Sequence, residues 1–168
     1  MMGAGKTTVG RRLAPRLGLP FVDGDSEIER AAGMSVSELF ELHGQDSFRE
    51  GEARVMARLL NEPPHVIATG GGAVLHDGTR KLIKEKAISV WIKADINALA
   101  SRATRRDTRP LLRNGDPVEI LSNIAADREA FYTQADIHVD SQPGPHDGTV
   151  ELIYNEIIEF LGFRTDDE

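Results

Sequence analysis

Cysteine is absent from the 168 residues. That excludes disulfides, thiol nucleophiles and thiolate metal sites, and it suits a reducing compartment. No apolar run approaches the roughly 18 residues of a membrane span. The N-terminus lacks the apolar core of a secretory signal. Basic residues are in the minority: 20 Lys and Arg stand against 27 Asp and Glu, a net charge of -7. This balance argues against nucleic acid or an anionic membrane as the principal partner. No internal repeat or low-complexity tract interrupts the chain. What is there is ordinary for a globular protein, 40% hydrophobic and 28% charged. The length suits a single domain, residues 1–168, able to bury about 70% of its unfolded surface. The expectation is a cytoplasmic protein working as a monomer on small molecules.

Helical stretches alternate with short apolar runs. Residues Lys6 to Leu17 read as a helix stopped by Gly18 and Pro20, with Pro15 in its last turn. Phe21–Asp23, Val66–Thr69, Ile88–Ile92 and Ile137–Val139 read as strands. Ile88–Ile92 is apolar nearly throughout, as in a buried parallel strand. Capping-box patterns at Ser26–Glu29, Ser35–Glu38 and Ser47–Glu50 predict three successive helices ending near Leu60. Further helices are expected over Thr79–Glu85, Asp95–Arg102, Pro117–Tyr132 and Thr149–Leu161. Residues 104–116, with Arg105, Arg106, Arg109 and Arg113, read as a basic mobile loop. This alternation predicts an α/β fold of three layers, a parallel sheet flanked by helices.

Six groups of residues carry chemistry. Gly3-Ala4-Gly5-Lys6-Thr7-Thr8 opens the first helix and matches the second half of the phosphate-loop pattern. A glycine-rich turn at a helix N-terminus points backbone N–H groups at an anion. Lys6 would reach the β- and γ-phosphates, and the Thr7 hydroxyl would ligate Mg²⁺. Asp23-Gly-Asp25 stands at the carboxyl end of the strand Phe21–Asp23, where ligands of open α/β sheets sit. One acid suits a metal and the other a proton, although Asp25 would equally serve as a helix cap. Arg49 and Glu52 are three apart on one helix face. Such a pair is either a braced fork for a carboxylate or a solvated ion pair. Gly70-Gly71-Gly72 directly follows a buried strand and would let a ligand approach backbone N–H groups. Arg109, in the mobile loop, would neutralise phosphate charge on closure. Arg128 either faces an anion or pairs with a neighbouring acid.

GAGKTTVG, FVDGDSEIE, SFREGE, TGGGAV, TRPLL and DREAFY, in that order and spacing, resemble shikimate kinase over nearly the whole chain. The resemblance implies a phosphate-loop kinase of the nucleoside-monophosphate-kinase type, with a lid over 104–116 and substrate-binding helices over about 24–52. Such an enzyme transfers the ATP γ-phosphoryl to the 3-hydroxyl of shikimate, on the route to chorismate and the aromatic amino acids. By resemblance, Gly3, Ala4, Gly5, Lys6, Thr7 and Thr8 hold ATP, and Thr7 and Asp23 hold Mg²⁺, the latter through water. Asp25 binds the shikimate hydroxyls and acts as base. Arg49 and Arg128 clamp the carboxylate, Gly71 and Gly72 add backbone contacts, and Glu52 braces Arg49. Arg109 is the lid arginine. Arg102, Gln142 and Pro143 resemble adenine-side residues.

The resemblance also sets a departure. In the family a central first strand feeds the phosphate loop, and no residues stand before Met1 to form it. The expectation is therefore a sheet lacking that strand, low stability, weak activity, and a natural start upstream. Alternatives on the same motifs are a small-molecule kinase of another specificity, such as a gluconate-type or nucleoside-monophosphate enzyme, or an inactive nucleotide-binding relic. Retention of Lys6, Asp25 and Arg109 speaks against the relic.

Overall fold

The computed structural model describes Met1 and residues 3–104, 115–141 and 145–162, with the side chains of 102–104 excepted. Helix α1 (Lys6–Leu17) begins where Gly3 and Gly5, at φ 78° and 81°, turn the chain through a conformation that side-chain-bearing residues rarely adopt. It ends at Gly18, whose N–H caps the last carbonyls. Strand β1 (Phe21–Asp23) leads directly into α2 (Gly24–Ala32). The cap of α2 is Asp23, whose Oδ1 accepts from the Ser26 N–H, so the pattern at Ser26–Glu29 does not mark the helix start.

Helix α3 (Val36–Leu59) opens with the expected Ser35–Glu38 capping box. It is broken at Gly44, with φ 74° and ψ 176°, rather than at Ser47. Glycine adopts this break without a side-chain penalty and ends the first segment before Ser47 can act as a cap. Strand β2 (Val66–Ala68), a 3₁₀ turn (Ala73–Leu75), α4 (Asp77–Lys86), β3 (Val90–Lys93), α5 (Ile96–Thr104), α6 (Pro117–Tyr132), β4 (Ile137–Asp140) and α7 (Asp147–Phe160) follow. Their order and type agree with the alternation read from the sequence.

The strands form two parallel pairs, β1–β2 and β3–β4. Among the described residues no strand joins the pairs. Side-chain alternation sorts each pair between two helical layers. Val90, Ile92, Ile137 and Val139 pack with Val9 and Leu13 of α1 and with Val150, Ile153 and Ile157 of α7. Trp91 turns the other way, towards Leu99, Leu121 and Tyr132 of α5 and α6. In the other pair, Val22 and Ile67 face Ile28, Phe48, Met56 and Leu59 of α2 and α3. Phe21 and Val66 face α1 at Gly10, where a Cβ would come 2.8 Å from the Phe21 ring. Helix α1 therefore spans both pairs from one face. Leu59 and Met56 are 1% and 2% exposed, and truncating either to alanine is expected to cost about 2–5 kcal/mol. No helix among the described residues is long and apolar enough to cross a membrane.

Candidate active site

The parallel register of β1 and β2 sets Asp23 beside Ala68, so both strands release their chains at one edge. Asp23-Gly24-Asp25 leaves from one strand and Thr69 to Gly72 from the other. The fold thus brings two sequence-distant segments to the place where α/β sheets bind ligands.

Helix α1 contributes its N-terminus. No side chain caps it and its first turn carries no acid, so its N–H groups and dipole suit an anion. Lys6 Nζ donates to the Met1 carbonyl at 2.6 Å. Thr7 Oγ1 donates to Asp23 Oδ2 at 2.7 Å, joining the phosphate loop to the β1 acid. The His146 ring packs against Gly5, where a Cβ would lie 2.8 Å from its Cε1.

Asp25 sits in the first turn of α2, exposed at the mouth of the cleft yet crowded by protein on its inner side. Partial loss of water raises its carboxyl above the ordinary aspartate value. The neighbouring Asp23 charge adds to the rise, and Lys6 and Arg49 oppose it. Asp25 therefore shares one electrostatic environment with the loop lysine and the α3 arginine.

Arg49 and Glu52 are a buried pair rather than a solvated one. Arg49 Nη1 donates to Glu52 Oε2 at 2.5 Å, and the two side chains are only 17% and 3% exposed. Burial nevertheless raises the Glu52 carboxyl, with Arg49 opposing it. The Arg49 guanidinium also lies 5.2 Å and 5.9 Å from the rings of Phe48 and Phe40, stacked against each other at 4.3 Å. Among the described residues, the buried Arg49 Nε and Glu52 Oε1 have no hydrogen-bond partner. Unpaired polar atoms in so enclosed a place are costly unless a ligand completes them.

The triple glycine fits around these groups. A Cβ at Gly72 would overlap the Arg49 guanidinium, and one at Gly70 would lie 2.6 Å from Glu52 Oε1 and 2.9 Å from Asp25 Oδ1. Glycine is required here because the acid and arginine side chains occupy the space of a side chain. A Cβ at Gly71 would touch Arg128 Nη1 and the Tyr132 hydroxyl at 3.5 Å each. Of the two readings left open for Arg128, its place beside the glycine turn and the Glu52 field favours an inward-facing cation.

Lys6, Thr7, Asp23, Asp25, Arg49, Gly71, Gly72 and Arg128 thus converge, with Gly3, Ala4, Gly5 and Thr8 in or next to the α1 turn. Arg102 belongs to α5, its side chain outside the described residues, as are Arg109 with most of the lid, and Gln142 and Pro143. Sequence reasoning gave no site role to Phe40, His146 or Tyr132. The four-residue spacing from Arg128 to Tyr132 on α6 was the available signal for the last.

Comparison with known proteins points to one family. The shikimate kinase family model matches residues 2–162. A shikimate kinase from Caulobacter vibrioides is 56% identical over 153 residues, 91% of this chain and 76% of the relative. One from Nitrobacter winogradskyi is 54% identical over 164 residues, 98% of this chain and 75% of that one. The solved shikimate kinase of Acinetobacter baumannii in complex with shikimate superposes with a TM-score of 0.91 at 34% identity. It covers 95% of this chain and 89% of its own. That of Bacteroides thetaiotaomicron gives 0.86 at 28% identity, over 96% and 94%. With a family match across nearly its whole length and relatives above half identity, the chain belongs to the shikimate kinase family.

Proposed function

We propose that this chain is a shikimate kinase working as a single-domain cytoplasmic monomer, with the roles that follow. The observation that carries the reading is the convergence of the Arg49–Glu52 pair on Gly72 and of Asp25 on Gly70, beside the N-terminus of α1. An acceptor with one carboxylate and several hydroxyls suits this arrangement. Arg49, braced by Glu52, and Arg128 take the carboxylate, with backbone groups of Gly71 and Gly72 beside them. That places the ring hydroxyls towards Asp25.

The turn from Gly3 to Thr8 and the α1 dipole hold the ATP phosphates, and Lys6 exchanges the Met1 carbonyl for phosphate oxygens. Asp25 accepts the proton of the 3-hydroxyl as its oxygen attacks the γ-phosphorus. The bond from that phosphorus to the β–γ bridging oxygen breaks, and ADP departs with the bond's electron pair. A carboxyl raised by burial is a stronger base than an ordinary aspartate. Arg109 on the lid balances charge on the transferred group and helps exclude water. Arg102, Gln142 and Pro143 line the adenine.

The Thr7 hydroxyl and Asp23 carboxylate, 2.7 Å apart, are hard oxygen donors of the kind Mg²⁺ takes beside substrate phosphates. When bound there, Mg²⁺ neutralises charge on the β- and γ-phosphate oxygens.

The test is Arg49→Ala. The account expects KM for shikimate to rise far more than KM for ATP. An equal rise in both contradicts a carboxylate clamp.

A further inference from the structure

We propose that Tyr132 is a positioning residue for the acceptor carboxylate, fixing the peptide between Gly71 and Gly72 beside Arg128. This rests on the shikimate kinase reading above and gives a task to a residue that reading leaves unused.

Tyr132 closes α6 with its ring buried, 8% exposed, against Trp91 at 5.7 Å. Its hydroxyl is not left in the core. It donates to the Gly71 carbonyl at 2.6 Å, bridging 61 positions of sequence. The turn is otherwise held by its own backbone: the Gly70 carbonyl accepts from Ala73 N–H at 3.3 Å, and the Gly72 carbonyl from Leu75 N–H at 2.9 Å. Tyr132 thus supplies the partner for the middle carbonyl of the three.

A trans peptide is planar, so its C=O and N–H point in opposite directions. Pinning the Gly71 oxygen towards Tyr132 therefore aims the Gly72 N–H away from it. A Cβ at Gly72 would run into the Arg49 guanidinium, so Gly72 and its N–H belong to the neighbourhood assigned to the carboxylate. Glycine is the residue least able to hold such an orientation unaided. Three in a row need an outside anchor, and an ordered helix provides one. Arg128, one helical turn before Tyr132, lies against the same glycine: its Nη1 and the Tyr132 hydroxyl would both stand 3.5 Å from a Cβ at Gly71. The hydroxyl thereby holds a backbone donor at the same glycine where Arg128 stands, and both serve the same ligand group.

The experiment is Tyr132→Phe, which keeps the ring and removes the hydroxyl. The parent chain is first shown to turn over shikimate; if it does not, the functional reading fails and not this inference. KM for shikimate is expected to rise about tenfold, the loss of one well-formed hydrogen bond. KM for ATP and kcat are expected to stay within about twofold. Preference for shikimate over its carboxamide is expected to narrow in Y132F. An unchanged KM for shikimate, or an equal rise in both KM values, overturns the proposal. Should Y132F melt early, amide NMR of the unaltered chain decides. The Gly72 N–H resonance is expected to shift on titration with shikimate and to respond much less to the carboxamide. A Gly72 resonance indifferent to shikimate refutes the proposal.

Discussion

Gly72→Ala isolates the contact between the glycine turn and the α3 arginine. Gly72 has φ −102° and ψ −5°, a conformation open to alanine, so any effect is steric rather than conformational. The new Cβ would overlap the carbon and both terminal nitrogens of the Arg49 guanidinium. Comfortable contact lies near 3.5 Å, so the guanidinium must retreat by roughly 1 Å. It is restrained by Glu52 Oε2 at 2.5 Å and by the Phe48 and Phe40 rings. The obstacle is a side-chain end, so the backbone need not move. The stability cost is expected at about 1–3 kcal/mol, the usual range for overpacking. The functional loss is larger in proportion. A displaced fork forfeits charge-assisted hydrogen bonding worth about 1.5–3 kcal/mol, or about ten- to a hundredfold in KM for shikimate. KM for ATP should change by less than about twofold, because the nucleotide groups are not touched. Steady-state rates from a coupled ADP assay measure both constants, and thermal melting confirms folding. A folded G72A with unchanged KM for shikimate, or with equal rises in both KM values, would refute the reasoning.

Other outcomes follow from the same geometry. Glu52→Gln removes the charge that braces Arg49 in a buried setting, and is expected to cost up to about 3 kcal/mol in denaturant titrations while raising KM for shikimate. Burial holds the Asp25 and Glu52 carboxyls above their ordinary values, so the folded chain binds these protons more tightly than the unfolded chain. Their contribution to stability is therefore full below the ordinary carboxylate range near pH 4 and is lost as pH rises through the raised folded values. The double variant D25N/E52Q should flatten that part of the melting-temperature profile. As the base, Asp25 must be ionised, so kcat should rise with pH through its raised value; an acid limb unchanged in D25N would contradict that role. Thr7→Val removes the hydroxyl bonded to Asp23 at 2.7 Å. It should leave melting nearly unchanged, at about 1 kcal/mol or less, while increasing the Mg²⁺ needed for half-maximal rate.

Local rules carried much of the structure. Helix α1 was legible from Gly5 and Gly18, α6 from Pro117 at its first position, and the start of α3 from the Ser35–Glu38 box. The failures have specific causes. Asp23 lies three residues before Ser26 and took the cap of α2, because a strand-end carboxylate was already in place. Gly44 broke α3 before Ser47 could start a new helix. The site was legible as a set of residue types, but not as geometry. Whether Arg49–Glu52 was a surface pair depended on burial, which the i, i+3 spacing cannot report. Gly70 and Gly72 read as permissive backbone, whereas their hydrogen-only side is filled by Asp25, Glu52 and Arg49. The spacing to Arg128 pointed at Tyr132, but its role was not legible because its partner, the Gly71 carbonyl, lies 61 positions away.

The central claim is tested most directly by ADP release with Mg²⁺ and ATP, offering shikimate, gluconate and nucleoside monophosphates in parallel. The account predicts turnover that depends on shikimate, with shikimate 3-phosphate as product and little rate above background with the others. Faster turnover with gluconate or a nucleoside monophosphate than with shikimate would contradict it.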